Sequence, residues 1–185
     1  MNEPARLLAG EALARYYADH GLGADGGIAV THWAPLRWLG LRLRNFDWRR
    51  RAIQRHDLHH LLTGYPCTAE GEFQVAAWEF AAGRFPSAGA TLFCLPLVGI
   101  GAVLAPKKSL RAFVCGRHSA SLYRVASMEP LLDMDLAQLR ARVLPPVQPR
   151  TGLRDIVAFY SLAALSMAWI ACPAALLCLL FMALS

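Results

Sequence analysis

The chain has 185 residues, of which 56% are apolar and 17% charged, and its formal net charge is +6. That length suffices for one domain with a core, and the apolar content exceeds that of ordinary soluble proteins. The positive charge favours anionic partners such as lipid headgroups. No basic module interleaved with aromatic residues is recognisable, so nucleic acid is not expected as a partner. Five scattered cysteines without a CxxC pair indicate neither a disulfide framework nor a thiolate zinc site.

The amino-terminal residues 3–20 are predicted to form an amphipathic helix that ends at Gly21, because apolar side chains recur there at helical spacing. These residues include both acidic and basic side chains and no continuous apolar stretch, which indicates neither a signal peptide nor a transit peptide. Further on, the alternation in residues 39–44 (LGLRLR) allows a short strand or an interfacial segment.

A second helix is predicted to begin near residue 45 or 47 and to end at Leu62, and it carries His56, Asp57 and His60. Successive residues of a helix are about 100° apart, so His56 and His60 lie on one face with Asp57 close to their edge. Three potential metal ligands therefore converge from one helical turn.

A fourth potential ligand, Glu72, follows after a turn at residues 64–66. Thr68 is suited to cap a third helix over 69–82, which brings Glu72 back towards the histidines. The complete pattern, H-D-x2-H-x11-E, predicts a two-helix site for a divalent metal. Zinc accepts this mixed set of nitrogen and oxygen ligands, and manganese, iron and cobalt are chemical alternatives. Four protein ligands can close the site, whereas a weakly bound carboxylate leaves room for a substrate oxygen.

Two nearby residues are candidates for supporting roles. Glu79 follows Glu72 by two helical turns on the same face. It can orient a ligand, act as a general acid or base beside the metal, or lie exposed on a solvated stripe. His59 is expected to lie behind the ligands or at the surface rather than to bind the ion.

The residues around the motif carry a resemblance. Residues 56–58 (HDL), 62–65 (LTGY) and 71–72 (GE) resemble the coenzyme Q (ubiquinone) biosynthesis family, whose hallmark is an HDxxHx11E zinc motif. Residues 9–17 (AGEALARYY) look like the amino-terminal helix of that family. The resemblance covers about residues 1–143 and is specific at 56–72.

The resemblance implies zinc at His56, Asp57, His60 and Glu72, and a polyprenylated 4-hydroxybenzoate intermediate as the substrate. The function expected on this basis is a metal-dependent lyase of ubiquinone biosynthesis. It would remove the C1 carboxylate of 4-hydroxy-3-methoxy-5-polyprenylbenzoate, alone or coupled to hydroxylation at the same carbon. Glu79 is the candidate proton donor. Membrane lipids and other quinone-biosynthesis proteins are the expected partners.

Two other functions remain open. One is a non-catalytic prenyl-lipid-binding scaffold that organises a quinone-biosynthesis complex, with the metal bracing two helices. The other is an integral membrane subunit whose histidines are incidental.

Residues 88–105 form an uncharged run of 18, interrupted by Pro96, Gly99 and Gly101. The run predicts a pair of apolar core helices or a groove for a prenyl chain, with a membrane span as the alternative. Two further helices are predicted over 109–126 and 128–142.

The last part of the chain is predicted to lie in a membrane. A proline-containing linker over 144–155 precedes residues 156–185, which contain no charge. This segment predicts a transmembrane helix, kinked by Pro173 or divided there into a hairpin. Arginines ahead of it place the globular part in the cytoplasm by the positive-inside tendency, as at a bacterial-type inner membrane. The sequence thus predicts an all-α protein, with a helical metal-binding domain at 1–143 followed by a membrane helix.

Overall fold

The computed structural model describes residues 6–23, 26, 47–83, 85–125 and 127–184, with the backbone alone for 47–51 and 173–184. These residues are helical or irregular, apart from one isolated β-bridge between Leu8 and Asp135. The helices are α1 (Ala9–Asp19), α2 (Asp47–Thr63), α3 (Ala69–Ala82), α4 (Ala88–Leu104), α5 (Pro106–Arg117), α6 (Glu129–Leu132), α7 (Leu136–Val143) and α8 (Leu153–Leu184), with a 3-10 turn at Leu122–Arg124. The predicted all-α class is confirmed.

Helix α3 lies at the centre of the domain, where it packs against α2, α4 and α5. Its residues 75–78 are fully buried, and Trp78 is the largest side chain among them. Helix α5 approaches α3 closely at Gly116, where a Cβ would lie 2.3 Å from the carbonyl oxygen of Trp78. Because this separation is far below van der Waals contact, only glycine permits this packing.

A tight turn returns the chain from α2 to α3. Gly64 has a φ of 75°, which glycine adopts without strain. The side chain of Thr68 then accepts a hydrogen bond from the N–H of Gly71 at 3.2 Å and caps α3. The predicted third helix and its cap are confirmed, and α2 extends one residue past the predicted end at Leu62.

The amino-terminal helix buries Leu13, Tyr16 and Tyr17 against the rest of the domain. It covers Ala9–Asp19, within the predicted range 3–20. Residues 1–5 and the alternating segment 39–44 lie outside the described residues.

The two helices predicted over 109–126 and 128–142 are wrong in extent. Helix α5 begins earlier, at Pro106, and ends at Arg117, and the second region is divided into α6 and α7. Tertiary hydrogen bonds account for the first break. The indole of Trp78 donates to Ser119 Oγ, and Nε2 of His59 accepts from the N–H of Leu122. Asp135 accounts for the second, since it caps α7 by accepting from the N–H of Gln138 at 3.0 Å.

The apolar run 88–105 forms one continuous helix, α4, rather than the predicted pair of helices, although Pro96 lies inside it. Ser87 caps this helix by accepting a hydrogen bond from the N–H of Ala90 at 3.2 Å. Helix α4 packs on α3 at one side and on α8 at another.

Helix α8 begins at Leu153, within the predicted linker, and continues to Leu184. Its segment Leu153–Cys172 is long and apolar enough to cross a membrane. Only 17% of the most apolar 18-residue stretch of this segment is buried inside the protein. The predicted membrane helix is therefore present as one continuous helix of suitable length and composition.

Candidate metal centre

His56 and His60 face each other from consecutive turns of α2. Their Nε2 atoms lie 3.2 Å apart. The ring centroids are 4.9 Å apart and the ring planes meet at 82°. The i, i+4 spacing in the sequence thus brings two imidazole nitrogens to one point.

Glu72 reaches the same point from α3. Its Oε2 lies 3.2 Å from Nε2 of His56, and its Oε1 lies 3.3 Å from Nε2 of His60. These three residues form a group whose ligand atoms all lie within 4.8 Å of one another. The side chain of Glu72 is 33% exposed, whereas that of His60 is 1% exposed, so the centre is open to solvent on the side of α3.

The hydrogen bonds of the two rings leave both Nε2 atoms as acceptors. Nδ1 of His60 lies 2.9 Å from the carbonyl oxygen of Tyr65, which can only accept, so this nitrogen carries the hydrogen. Nδ1 of His56 lies 3.1 Å from Oε1 of Glu79 and donates to that carboxylate. In the neutral rings the two Nε2 lone pairs therefore face each other and Glu72, an arrangement that a cation or a proton between them stabilises.

The spacing of the three atoms suits a divalent metal. Zinc bonds to imidazole nitrogen and carboxylate oxygen at about 2.0–2.2 Å, which gives edges of about 3.3–3.6 Å in a tetrahedron. The observed separations of 3.2 and 3.3 Å lie just below and at the short end of this range. Two histidines and one glutamate, with a fourth position left open, are also a ligand set of catalytic zinc sites. His56, His60 and Glu72 can thus hold a metal ion, although these ligands alone do not fix which metal.

The histidines and glutamates of the centre shift one another's pKa values. Burial lowers the pKa of His56, but Glu79 and Glu72 outweigh this effect and raise that pKa well above 6.5. Burial raises the pKa of Glu72, but hydrogen bonds from His56 and His60 outweigh it and lower the value to about 2. These two shifts favour a protonated His56 beside an ionised Glu72.

A second layer of polar groups lies behind His56. Oε1 of Glu79 accepts hydrogen bonds from Nδ1 of His59 at 2.7 Å and from the hydroxyl of Tyr123 at 2.8 Å, in addition to that from His56. Nε2 of His59 accepts from the N–H of Leu122 at 3.1 Å, so its Nδ1 is the protonated nitrogen. Glu79 and His59 are both fully buried.

The buried pair differs in charge. Burial lowers the pKa of His59 below 6.5 despite its bond to Glu79. Burial raises the pKa of Glu79, but His56 and His59 outweigh it and hold that pKa well below the usual range. Behind the metal centre, the anionic Glu79 therefore accepts hydrogen bonds from the cationic His56 and from two neutral donors, His59 and Tyr123.

The predicted site residues occupy different places in this arrangement. The structure brings His56, His60 and Glu72 together, and it places Glu79 in contact with His56, as the role of orienting a ligand requires. The alternative of an exposed Glu79 on a solvated stripe is wrong, because this side chain is fully buried. Asp57 is 7% exposed and does not belong to the group of converging atoms. His59 lies behind the ligands, as expected. The hydrogen bond from Tyr123 to Glu79 was not predicted, because no local pattern links two residues that are 44 positions apart in the chain.

Asp57 and Glu79 each bury an oxygen for which the described residues supply no hydrogen bond, namely Oδ2 and Oε2. Burial raises the pKa of Asp57 to about 6, although His56 and His60 oppose this shift. Glu72 and Glu79 both act electrostatically on His56, and Asp57 lies close enough to interact with the same ring, so the carboxylates around His56 favour a cation at the centre.

No family model, curated protein or solved structure matches this chain.

Proposed function

We propose that the chain is a metal-dependent carboxy-lyase of ubiquinone biosynthesis that acts on 4-hydroxy-3-methoxy-5-polyprenylbenzoate at a membrane. The observation that carries the proposal is the convergence of His56, His60 and Glu72 at the spacing of metal ligands. The sequence pattern that positions these residues is also the pattern by which the chain resembles that biosynthetic family.

His56, His60 and Glu72 would hold the ion, and Asp57 is the proposed additional ligand from α2. Zinc is the metal that the resemblance implies, and manganese, iron and cobalt suit the same donor atoms. When bound, such an ion supplies Lewis acidity towards an oxygen of the substrate. The partial exposure of Glu72 leaves the centre accessible to a carboxylate or a phenolic oxygen from outside.

The proposed reaction replaces the ring carboxylate with hydrogen. The ring carbon takes up one proton, the bond to the carboxylate breaks, and carbon dioxide leaves, so no oxidant is consumed. Coupling to hydroxylation at the same carbon would require an oxidant such as dioxygen as a co-substrate. If Glu79 delivers the proton, it first has to receive it from His56, His59 or Tyr123, the three side chains that donate to its Oε1.

The membrane setting follows from the substrate, whose isoprenoid tail partitions into a bilayer. Helix α8 would keep the metal centre where that substrate is, and the apolar side chains of α4 would contact the tail. Arg150 lies just before α8, and Arg154 lies in its first turn. Cations at this end of the helix favour the cytoplasmic side for the globular part. Other quinone-biosynthesis proteins are the proposed protein partners.

A second candidate function is a prenyl-lipid-binding scaffold without catalysis. It is favoured by one observation, that the ligands come from two helices, so an ion bound there would brace α2 against α3.

A decarboxylation assay separates the two candidates. The full chain, in detergent and loaded with each of the four metals in turn, is incubated with substrate labelled at the carboxyl carbon, with and without dioxygen. Release of labelled carbon dioxide supports the lyase. We expect Glu72→Gln to abolish it, whereas Glu70→Gln, on the same helix but exposed and paired with Lys108, retains it. Stoichiometric metal without any release in either atmosphere would exclude the lyase and leave the scaffold.

A further inference from the structure

The exposed apolar side chains of the described residues are concentrated on two helices. Thirteen large hydrophobic residues are exposed, and Val147 alone among them lies outside α4 and α8. Those on α4 are Leu92, Phe93, Val103 and Leu104, and those on α8 are Leu153, Ile156, Val157, Tyr160, Leu165, Met167, Trp169 and Ile170. A soluble protein rarely leaves so much apolar surface uncovered in one region.

Helices α4 and α8 are joined through a buried serine. The hydroxyl of Ser166 accepts from the N–H of Gly99 at 3.0 Å and donates to the carbonyl oxygen of Leu95 at 2.6 Å. In an α-helix these two backbone groups would bond to each other, so Ser166 is inserted into the hydrogen-bond ladder of α4. Pro96 lies within this same turn of α4.

The contact between the two helices is close because it involves a small residue. A Cβ on Gly99 would lie 2.5 Å from Oγ of Ser166 and 3.0 Å from the sulfur of Met167. Small residues and interhelical hydroxyl bonds are the means by which helices associate in lipid, where burial of apolar surface gives no driving force.

Cations border both apolar helices. Lys107 and Arg111 are exposed in the first turns of α5, directly after α4, and Arg150 and Arg154 are exposed beside the start of α8. The two segments are tied together, because Gln148 donates to the carbonyl oxygen of Arg111 at 3.2 Å. Such cations are suited to the phosphates of lipid headgroups at the edge of a hydrocarbon layer.

We propose that α4 is embedded beside α8 in the same bilayer, with Leu92, Val103 and Leu104 in contact with lipid acyl chains. Helix α4 has 17 residues, and at about 1.5 Å per residue it is about 25 Å long, shorter than a hydrocarbon core of about 30 Å. It therefore enters the bilayer without crossing it. The continuity of its apolar surface with α8, and the cations at the border, identify lipid rather than a second protein as the occupant.

This placement brings the metal centre next to the lipid. A Cβ on Gly101 of α4 would lie 2.7 Å from Cβ of Phe73, the residue that follows the ligand Glu72. The helix that carries Glu72 thus packs directly on the lipid-embedded helix. The inference depends on α8 crossing the membrane and is independent of the reaction proposed for the centre.

Photocrosslinking in vesicles of phosphatidylcholine and phosphatidylglycerol tests the proposal on the full chain. A benzoylphenylalanine replaces Leu92 or Leu104 in α4, Val157 in α8, or Val147 in the linker. Leu104 and Val147 are matched in exposure, at 70% and 76%. We expect lipid adducts at 92 and 104 in yields comparable to that at 157, with the new bond on an acyl chain by mass spectrometry.

At position 147 we expect no acyl-chain adduct above background. The proposal is overturned if positions 92 and 104 give yields as low as position 147, or if their product is a covalent pair of protein chains. All these positions are exposed, and none of them belongs to the hydrophobic core. Val103, 66% exposed, provides a further position on the same helix if either variant fails to fold. Since the assay requires neither metal nor substrate, its failure is distinct from failure of the lyase.

Discussion

Nδ1 of His59 donates a hydrogen bond of 2.7 Å to Oε1 of Glu79, and neither side chain is exposed to solvent. The same oxygen accepts from Nδ1 of His56, so one buried carboxylate fixes the orientation of a candidate metal ligand and is itself held by a second histidine. Carboxylates that accept from a ligating histidine orient the ring and raise its basicity. The affinity of the centre for metal is therefore expected to depend on a residue that does not bind the ion.

The first prediction concerns Glu79→Gln. The amide is a weaker acceptor than the carboxylate and leaves His56 less firmly oriented, so metal affinity is expected to fall about 10–100-fold. Competition with a chromophoric chelator measures this change. Glu70→Gln, an exposed change on the same helix, should leave the affinity unaltered. An unaltered affinity in the Glu79 variant would show that the carboxylate has no part in orienting the ligand.

The second prediction compares the two other carboxylates of the centre. Glu72 lies within 3.3 Å of both Nε2 atoms, whereas Asp57 is not one of the converging residues. Glu72→Gln is expected to abolish stoichiometric metal, and Asp57→Asn is expected to retain it with reduced affinity. Elemental analysis of the purified full-length variants gives the metal content. Equal loss of metal in both variants would instead establish Asp57 as an indispensable ligand.

The third prediction is that metal binding releases a proton. The pKa of His56 in the metal-free protein lies well above 6.5, so this ring is protonated at neutral pH and must lose a proton to bind an ion. Glu72, with a pKa of about 2, is already ionised and contributes none. Affinity should therefore rise with pH by up to about tenfold per unit around neutrality. Titration calorimetry in buffers of different ionisation enthalpy counts the protons, and a count of zero at neutral pH would contradict the assignment.

The fourth prediction is that the metal-free protein loses stability as the pH rises. The folded-state pKa of His56 is raised above its unfolded value, so its stabilisation is complete below about pH 6.5 and is lost as the pH passes the folded value. His59, whose pKa is lowered, is neutral in both states above about pH 7 and does not offset this loss. Thermal unfolding of the protein, freed of metal by a chelator and measured at a series of pH values above about 6.5, gives this loss of stability. His56→Gln should weaken this dependence of stability on pH. If the stability of the unsubstituted chain rose with pH instead, the prediction would be refuted.

Local spacing in the sequence was sufficient to predict that His56, His60 and Glu72 converge, although it also included Asp57, which lies outside the converging group. His56 and His60 are one helical turn apart, and the turn and cap before Glu72 are encoded by Gly64 and Thr68, so each part of this prediction depended on neighbouring residues. The all-α class followed from the same periodicity.

Long-range contacts account for what could not be predicted. The helix expected over 109–126 is interrupted because the indole of Trp78 donates to Ser119 Oγ at 3.1 Å, across 41 residues. The guanidinium of Arg140 likewise donates to the carbonyl oxygens of Leu62 and Leu61 at the end of α2, across 78 and 79 residues. No periodicity in a single sequence indicates such partners.

The last prediction concerns Gly71, which precedes the ligand Glu72. A Cβ there would lie 1.7 Å from the carbonyl oxygen of Pro66, in the turn between α2 and α3. Alanine favours a helix over glycine by about 1 kcal/mol, but the clash involves backbone, and overpacking costs about 1–3 kcal/mol or more. Gly71→Ala is therefore expected to lower the melting temperature and, by displacing Glu72, the metal affinity. Gly152→Ala is the control, since its Cβ would meet Asp155 Oδ2 at an ordinary 3.5 Å. If the two alanine variants bound metal equally well, the turn would not be what positions the glutamate.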